Sequence, residues 1–265
     1  MIFIYLFIVG LFFGSFLNVL ADRLSRDETI LGRSKCESCQ HDLYTLDLIP
    51  VISYFLLRGK CRYCKKKFSI QYPISEILTG VIFMMTWYFS TMITRNPVLH
   101  IFHIGFAAVL IVIILADLRY QVIPDQMQIA LVILQLSRFI YINYIVLHFG
   151  YVDILRMFIG NVISGLEVMA PLLLIYFLTR GRGMGFGDVK FAFIIGFVLG
   201  LIPGFGALYI SFVVGGLIGG LLLLLKLGKR KSKIPFGPFL VLGFYLMLFF
   251  ENDITLFLAK IYGVF

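Results

Sequence analysis

The stretch Ile101-Phe102-His103-Ile104-Gly105-Phe106-Ala107-Ala108-Val109-Leu110-Ile111-Val112-Ile113-Ile114-Leu115-Ala116-Asp117 decides how this chain is read. Sixteen residues without a formal charge run straight into an acid. Such a run nearly spans the hydrocarbon core of a bilayer as a helix, at about 1.5 Å per residue. A carboxylate at the edge of a membrane helix is costly and marks a functional site. Asp188 repeats the pattern in reverse, opening an apolar run that continues to Ile202. Two carboxylates converging from different helices can share one proton and activate a water for peptide hydrolysis.

Composition agrees with the membrane reading. Of 265 residues, 60% are hydrophobic and 14% charged, and the mean hydropathy is +0.98. No water-soluble core needs so much apolar sequence. Bilayer-length stretches recur at about 1–20, 74–93, 99–117, 127–147, 153–178, 188–202, 205–225 and 236–258. The expectation is an all-α polytopic membrane protein with about eight transmembrane helices. The first stretch lacks a basic leading region and an A-x-A cleavage site, so it reads as a retained helix instead of a secretory signal.

Basic residues fix the expected orientation. Ten lie in 21–72, five in 226–233 (Lys226, Lys229, Arg230, Lys231 and Lys233), and Arg119, Arg180, Arg182 and Lys190 fall on the same side if spans alternate. Only Arg95, Arg138, Arg156 and Lys260 fall opposite, so nineteen of 23 are expected inside, with both termini outside. The net charge of +9 hugs membrane boundaries, which argues for anionic lipid as the neighbour and against nucleic acid.

The expected organisation is a first helix over 1–20, a polar insert over 21–72 and a membrane domain over 73–265. The insert is too short for an ordinary independent core, and it carries its own staple. Cys36-Glu37-Ser38-Cys39 and Cys61-Arg62-Tyr63-Cys64 are two CxxC pairs separated by twenty-one residues, and they hold all four cysteines. Two such knuckles close one tetrahedral site, and Zn²⁺ favours four thiolates. Lys35, Lys60, Arg62 and Lys65 would offset the charge of the centre. A disulfide pair or free thiols are the competing readings, and a reducing cytosol disfavours the disulfide. With four protein ligands the metal, Zn²⁺, is structural.

Two loops carry the catalytic expectation. In Asp117-Leu118-Arg119-Tyr120-Gln121-Val122-Ile123-Pro124-Asp125, Pro124 suits the start of a helix and Asp125 its first turn, where a carboxylate is stabilised. Asp125 is either that end charge or a supporting group. The second loop, Gly181-Arg182-Gly183-Met184-Gly185-Phe186-Gly187-Asp188-Val189-Lys190, sets four glycines at alternate positions. Gly185 and Gly187 would permit close approach of an extended substrate strand. A phosphate cradle is the alternative, but no GK[ST] signature follows. Glu76 stands a few positions into the second helix, open to readings as an amine-recognising group, a cofactor contact or an interfacial charge. Glu167, inside a span, reads as a cross-helix bond or a polar cavity. His100 and His103 read as interfacial histidines before a metal pair. A proton-coupled transporter using Asp117, Glu167 and Asp188 is the rival function, and a zinc-ribbon adaptor without chemistry is a third. The transporter predicts carboxylates near the midplane and internal repeats.

These residues together resemble the type IV prepilin peptidases (prepilin leader peptidase/N-methyltransferase). Gly14-Ser15-Phe16-Leu17-Asn18-Val19 with Arg23-Leu24 resembles the opening helix of that family. The CxxC pairs, Ile49-Pro50-Val51-Ile52-Ser53-Tyr54, Leu57-Arg58-Gly59 and Tyr72-Pro73-Ile74-Ser75-Glu76 resemble its cytoplasmic insert. Asp117 through Ile123-Pro124-Asp125, then Gly185-Phe186-Gly187-Asp188-Val189-Lys190, resemble its two active-site segments. Ile234-Pro235-Phe236-Gly237-Pro238-Phe239 resembles its last-helix signature.

The resemblance covers nearly the whole chain. It implies that Asp117 and Asp188 are the catalytic pair of an intramembrane aspartic endopeptidase, with Asp125, Gly185, Gly187, Lys190 and Glu76 in support. The implied substrate is a prepilin or pseudopilin with a basic leader, cut at the cytoplasmic face of the bacterial inner membrane. Methylation of the new N-terminus with S-adenosylmethionine is implied by the resemblance alone. Asp22, Asp27, Glu28, Glu37, Asp42 and Asp47 are the acids available to dock a basic leader. Oligomeric state has no signature in the sequence.

Overall fold

The computed structural model describes residues 1–36, 38–225 and 234–262. Among them it is helical, with two isolated bridges, Lys35 with Asp42 and Lys60 with Lys67, and no strands. The expected basic run 226–233 and Glu37 lie outside the described residues. The chain divides into two compact units, Met1–Leu115 and Ala116–Phe265.

In the first unit, α1 (Ile2–Ser25) and α3 (Gln71–Ile93) flank the polar insert, which contains a short α2 (Ile52–Leu56). The two long helices approach closely because a Cβ on Gly10 would lie 2.6 Å from the Gly80 Cα. Small residues drive such contacts in lipid, where apolar burial gives no advantage between helices. Buried Asn18 is satisfied within the same interface: its Nδ2 donates to the Gly14 carbonyl at 2.9 Å, and the Ser75 hydroxyl lies 2.9 Å from its Oδ1. α4 (Pro97–Tyr120) starts in this unit. His100 and His103 are buried within the protein, and both Nδ1 atoms sit on the Ser90 hydroxyl, at 2.6 and 2.7 Å. One hydroxyl has one proton, so it donates to one ring while the other ring donates to it.

The second unit holds the end of α4, then α5 (Asp125–Ile140) running into a π turn (Tyr141–Val146), α6 (Tyr151–Thr179), α7 (Phe186–Leu199), α8 (Leu201–Leu224) and α9 (Gly237–Tyr262). Among the described residues, seven helices are long and apolar enough to span a bilayer. The expected stretch 188–202 corresponds to α7, which has only 14 residues and rises about 21 Å. It ends because Gly200 adopts φ +89° and hands the chain to α8. α7 is instead the buried centre of the unit: Val189, Phe191, Ala192, Ile194, Ile195, Phe197 and Val198 are all inside. It packs on α6, where a Cβ on Gly196 would fall 2.5 Å from the Ser164 carbonyl. α8 meets α9 through the Ser211 hydroxyl, which donates to the Phe239 carbonyl at 2.9 Å. On α8, Gly215 and Gly219 meet Phe239 and Ile234, whereas Gly216 and Gly220 face open space.

Candidate active site

Asp117 lies on the last turn of α4 and is 6% exposed despite standing at a helix end. The Gln121 N–H closes that turn on the Asp117 carbonyl at 2.9 Å, with Gln121 in the left-handed region at φ 55°. The chain then crosses Ile123 and Pro124 into α5, placing Asp125 in its first turn. On the other side, α6 stops at Arg180 (φ 51°) and Gly181 (φ 71°), and the loop reaches Gly185, which precedes α7. Asp188 sits in the first turn of α7, half-buried.

Three contacts hold these loops together. A Cβ at Gly187 would lie 3.2 Å from the Ile123 Cβ, so a larger residue would push the loops apart. Gln128, itself buried, points its Nε2 at the Gly187 carbonyl at 3.4 Å. The Lys190 ammonium pairs with Asp125 and lies 5.5 Å from the centre of the Phe186 ring. As a result the turn carrying Asp188 lies against the loop that follows Asp117. Gly185 is exposed, and a Cβ there would lie 3.3 Å from the Asp188 Oδ2.

The start of α9 completes the site. The Gly237 N–H donates to Asp117 Oδ2 at 2.7 Å, and that bond is buried. Sequence reasoning placed Gly237 in a helix signature without giving it a site role. The only available signal was a glycine flanked by Pro235 and Pro238 where a long apolar helix begins.

Glu76 belongs to the first unit. It is buried on α3, and its Oε2 accepts the Val51 N–H at 2.7 Å, so its carboxylate fastens the insert. Glu167 lies on an exposed face of α6. The acids expected to dock a leader are partly engaged: Asp47 accepts from Arg62 Nε at 2.8 Å with its side chain 2% exposed, and Asp42 is 3.9 Å from the Lys35 ammonium.

The four cysteines come together outside the spans. Their sulfurs all lie within 4.8 Å of one another, all four are free thiols, and Cys36 and Cys64 are 3.8 Å apart. That is far beyond the disulfide bond length of about 2.05 Å. It equals the edge of a tetrahedron with metal–sulfur bonds of about 2.3 Å, so the group fits a four-thiolate metal site. Burial disfavours the Cys36 thiolate, yet the Cys39 and Ser38 backbone N–H groups and the Cys39 and Cys61 thiols outweigh it and bring Cys36 down to about 7.

A polytopic helical membrane protein with a carboxylate on each of two helix ends whose loops touch, and a separate thiol cluster, is the class so defined. Two family models match it: the bacterial peptidase A24 N-terminal domain over residues 8–90 and the type IV leader peptidase family over residues 104–221. The chain is 29% identical over 258 residues to the prepilin leader peptidase/N-methyltransferase of Bacillus subtilis, covering 96% of this chain and 97% of that protein. Proteins of the same name from Xanthomonas campestris and Neisseria gonorrhoeae are each 30% identical, covering 93% of this chain and 91% and 89% of theirs. The chain belongs to the type IV leader peptidase family. No solved structure matches it. The transporter reading has no support from these likenesses.

Proposed function

We infer that the chain is an intramembrane aspartic endopeptidase that removes the leader from prepilins or pseudopilins at the cytoplasmic membrane face. The observation that carries this reading is that the loop after Asp117 and the turn bearing Asp188 are held together, Gly187 against Ile123 and Lys190 on Asp125, with the Gly237 N–H on Asp117. Membership of a leader peptidase family and the names of the relatives support the substrate class. The distribution of basic residues supports the inner membrane and the cytoplasmic side.

Two close carboxylates in a partly dry site do not both carry charge cheaply, so the pair holds one proton between them. The ionised member takes a proton from water as the water attacks the scissile carbonyl. The protonated member hydrogen-bonds the developing oxyanion and then supplies a proton to the leaving amine. Titration belongs to the pair as a unit. Gly237 holds one oxygen of Asp117, leaving the other for the water. Incubating the purified protein in liposomes with a full-length prepilin, and reading the products by mass spectrometry, tests the assignment. Release of an intact leader is expected, and an uncut substrate sinks the reading.

Asp125 and Lys190 are positioning residues in this account, because their pair ties the α5 turn to the α7 turn that carries Asp188. Both are substantially exposed, so the pair contributes at most about 1 kcal/mol to stability. Lys190→Gln is expected to lower kcat about tenfold by loosening the dyad, with little change in Tm. The swap Asp125→Lys with Lys190→Asp should recover most of the loss. An unchanged kcat in Lys190→Gln rejects the role.

Cys36, Cys39, Cys61 and Cys64 hold structural zinc in the insert 21–72, and 73–265 forms the peptidase domain. Four thiolates leave no position for substrate, so the ion supplies cross-linking and no chemistry. About one zinc per chain is expected by elemental analysis. Cys36→Ser with Cys61→Ser should release the metal and expose the insert to proteolysis while the membrane helices stay folded. A variant without metal whose insert resists protease as before contradicts the assignment.

The relatives' names also support methylation of the new N-terminus, with S-adenosylmethionine as donor. Glu76, the residue with a candidate role there, accepts the Val51 N–H with its carboxylate.

A further inference from the structure

We propose that α2 is an interfacial membrane anchor, with Ile52, Phe55 and Leu56 seated at the boundary of lipid headgroups and acyl chains and Arg58 and Lys60 on anionic phosphates. These three apolar residues occupy positions i, i+3 and i+4, which is one helix face. They are 56%, 68% and 78% exposed, although the insert lies outside every bilayer-length helix. A helix of a water-facing domain turns such a face inward. Here the other side is the less exposed one: Ser53 and Tyr54 are half-buried, and the Tyr54 ring covers buried Gly59.

The position of α2 decides what covers its face. Its first turn is tied to a membrane helix by the Val51 N–H bond to Glu76. Glu76 lies five residues beyond Gln71, roughly 8 Å along the spanning helix α3. Val51 reaches that acceptor with φ 63° and ψ −52°, while the Ile52 N–H folds back on the Pro50 carbonyl. A β-branched residue takes up such a turn only against steric cost, and the part-buried bond to Glu76 holds it there. The apolar face therefore starts at the depth where an amphipathic helix lies in the headgroup region. Arg58 and Lys60, both exposed, follow it directly, in the arrangement that anionic lipid attracts. Both ends of the insert run into spanning helices, so the bilayer surface is always within reach.

The test uses the full-length protein in lipid nanodiscs. Trp87 is the only native tryptophan, so subtracting its spectrum from that of Phe55→Trp isolates a reporter on the exposed face. The difference emission is expected to be blue-shifted and quenched about twofold or more by lipids brominated near the carbonyl region. Quenching should be stronger in discs with phosphatidylglycerol than in pure phosphatidylcholine, and Arg58→Gln with Lys60→Gln should abolish that difference. Emission typical of an indole in water overturns the proposal. A blue shift that brominated lipid does not quench overturns it equally, because a second copy or another protein segment then covers the face. Neither readout depends on catalysis.

Discussion

Asp117→Asn and Asp188→Asn are each expected to lower prepilin cleavage by about 10³-fold or more, the scale of a lost general acid or base. The amide matches the carboxylate in size but cannot accept the water's proton. Its oxygen still accepts the Gly237 N–H in place of Asp117 Oδ2, so the start of α9 stays docked and Tm changes little. The double variant should be scarcely worse than either single one, because groups acting as a unit are not additive. A useful internal control is methylation of a substrate already cut at its leader. Its survival in the variants would show that they fold and bind. Turnover within tenfold of the parent in either single variant removes the aspartic mechanism, whatever the family likeness.

Which parts of this site were visible in the sequence follows from the physics of each signal. Asp117 and Asp188 stood out because an acid bordering sixteen apolar residues has no cheap explanation in a bilayer. The cysteine cluster was legible because CxxC spacing alone presets a metal-binding knuckle. The end of α7 was not legible, since hydropathy runs on unchanged from Leu199 through Gly200 to Ile202. The break depends on one backbone angle, φ +89°, that apolar periodicity does not encode. Val51 was equally hidden: nothing in Pro50-Val51-Ile52 announces a turn there, and its partner Glu76 is twenty-five residues away. His100 and His103 were read as interfacial because charge-capable rings near a helix end usually face water. Their burial needs the hydroxyl of Ser90 on a different helix, which no local pattern supplies.

Gly237→Ala carries the second large effect, because the site leaves no room for a methyl group. A Cβ at 237 would lie 2.7 Å from Asp117 Oδ2, 3.1 Å from its Cγ and 3.2 Å from its Cβ. The carboxylate cannot simply rotate away, since it is 6% exposed and its own helix turn is closed by Gln121. Either Asp117 or the first turn of α9 must shift, and the 2.7 Å hydrogen bond lengthens in both cases. Displacing a catalytic group by about 1 Å costs on the order of 10²-fold. The expected result is a fall of about 10²-fold in kcat with KM nearly unchanged, because the methyl disturbs the reacting carboxyl and not the substrate helix. Gly216→Ala on α8 is the matched control: a Cβ there meets nothing within 4 Å, so kcat should hold. A general weakening of the bundle would lower Tm and raise KM as well, which separates a structural role from a positioning one. If kcat of Gly237→Ala stays within about threefold of the parent, the glycine is only a helix start, and the fixed Asp117 oxygen has no part in catalysis.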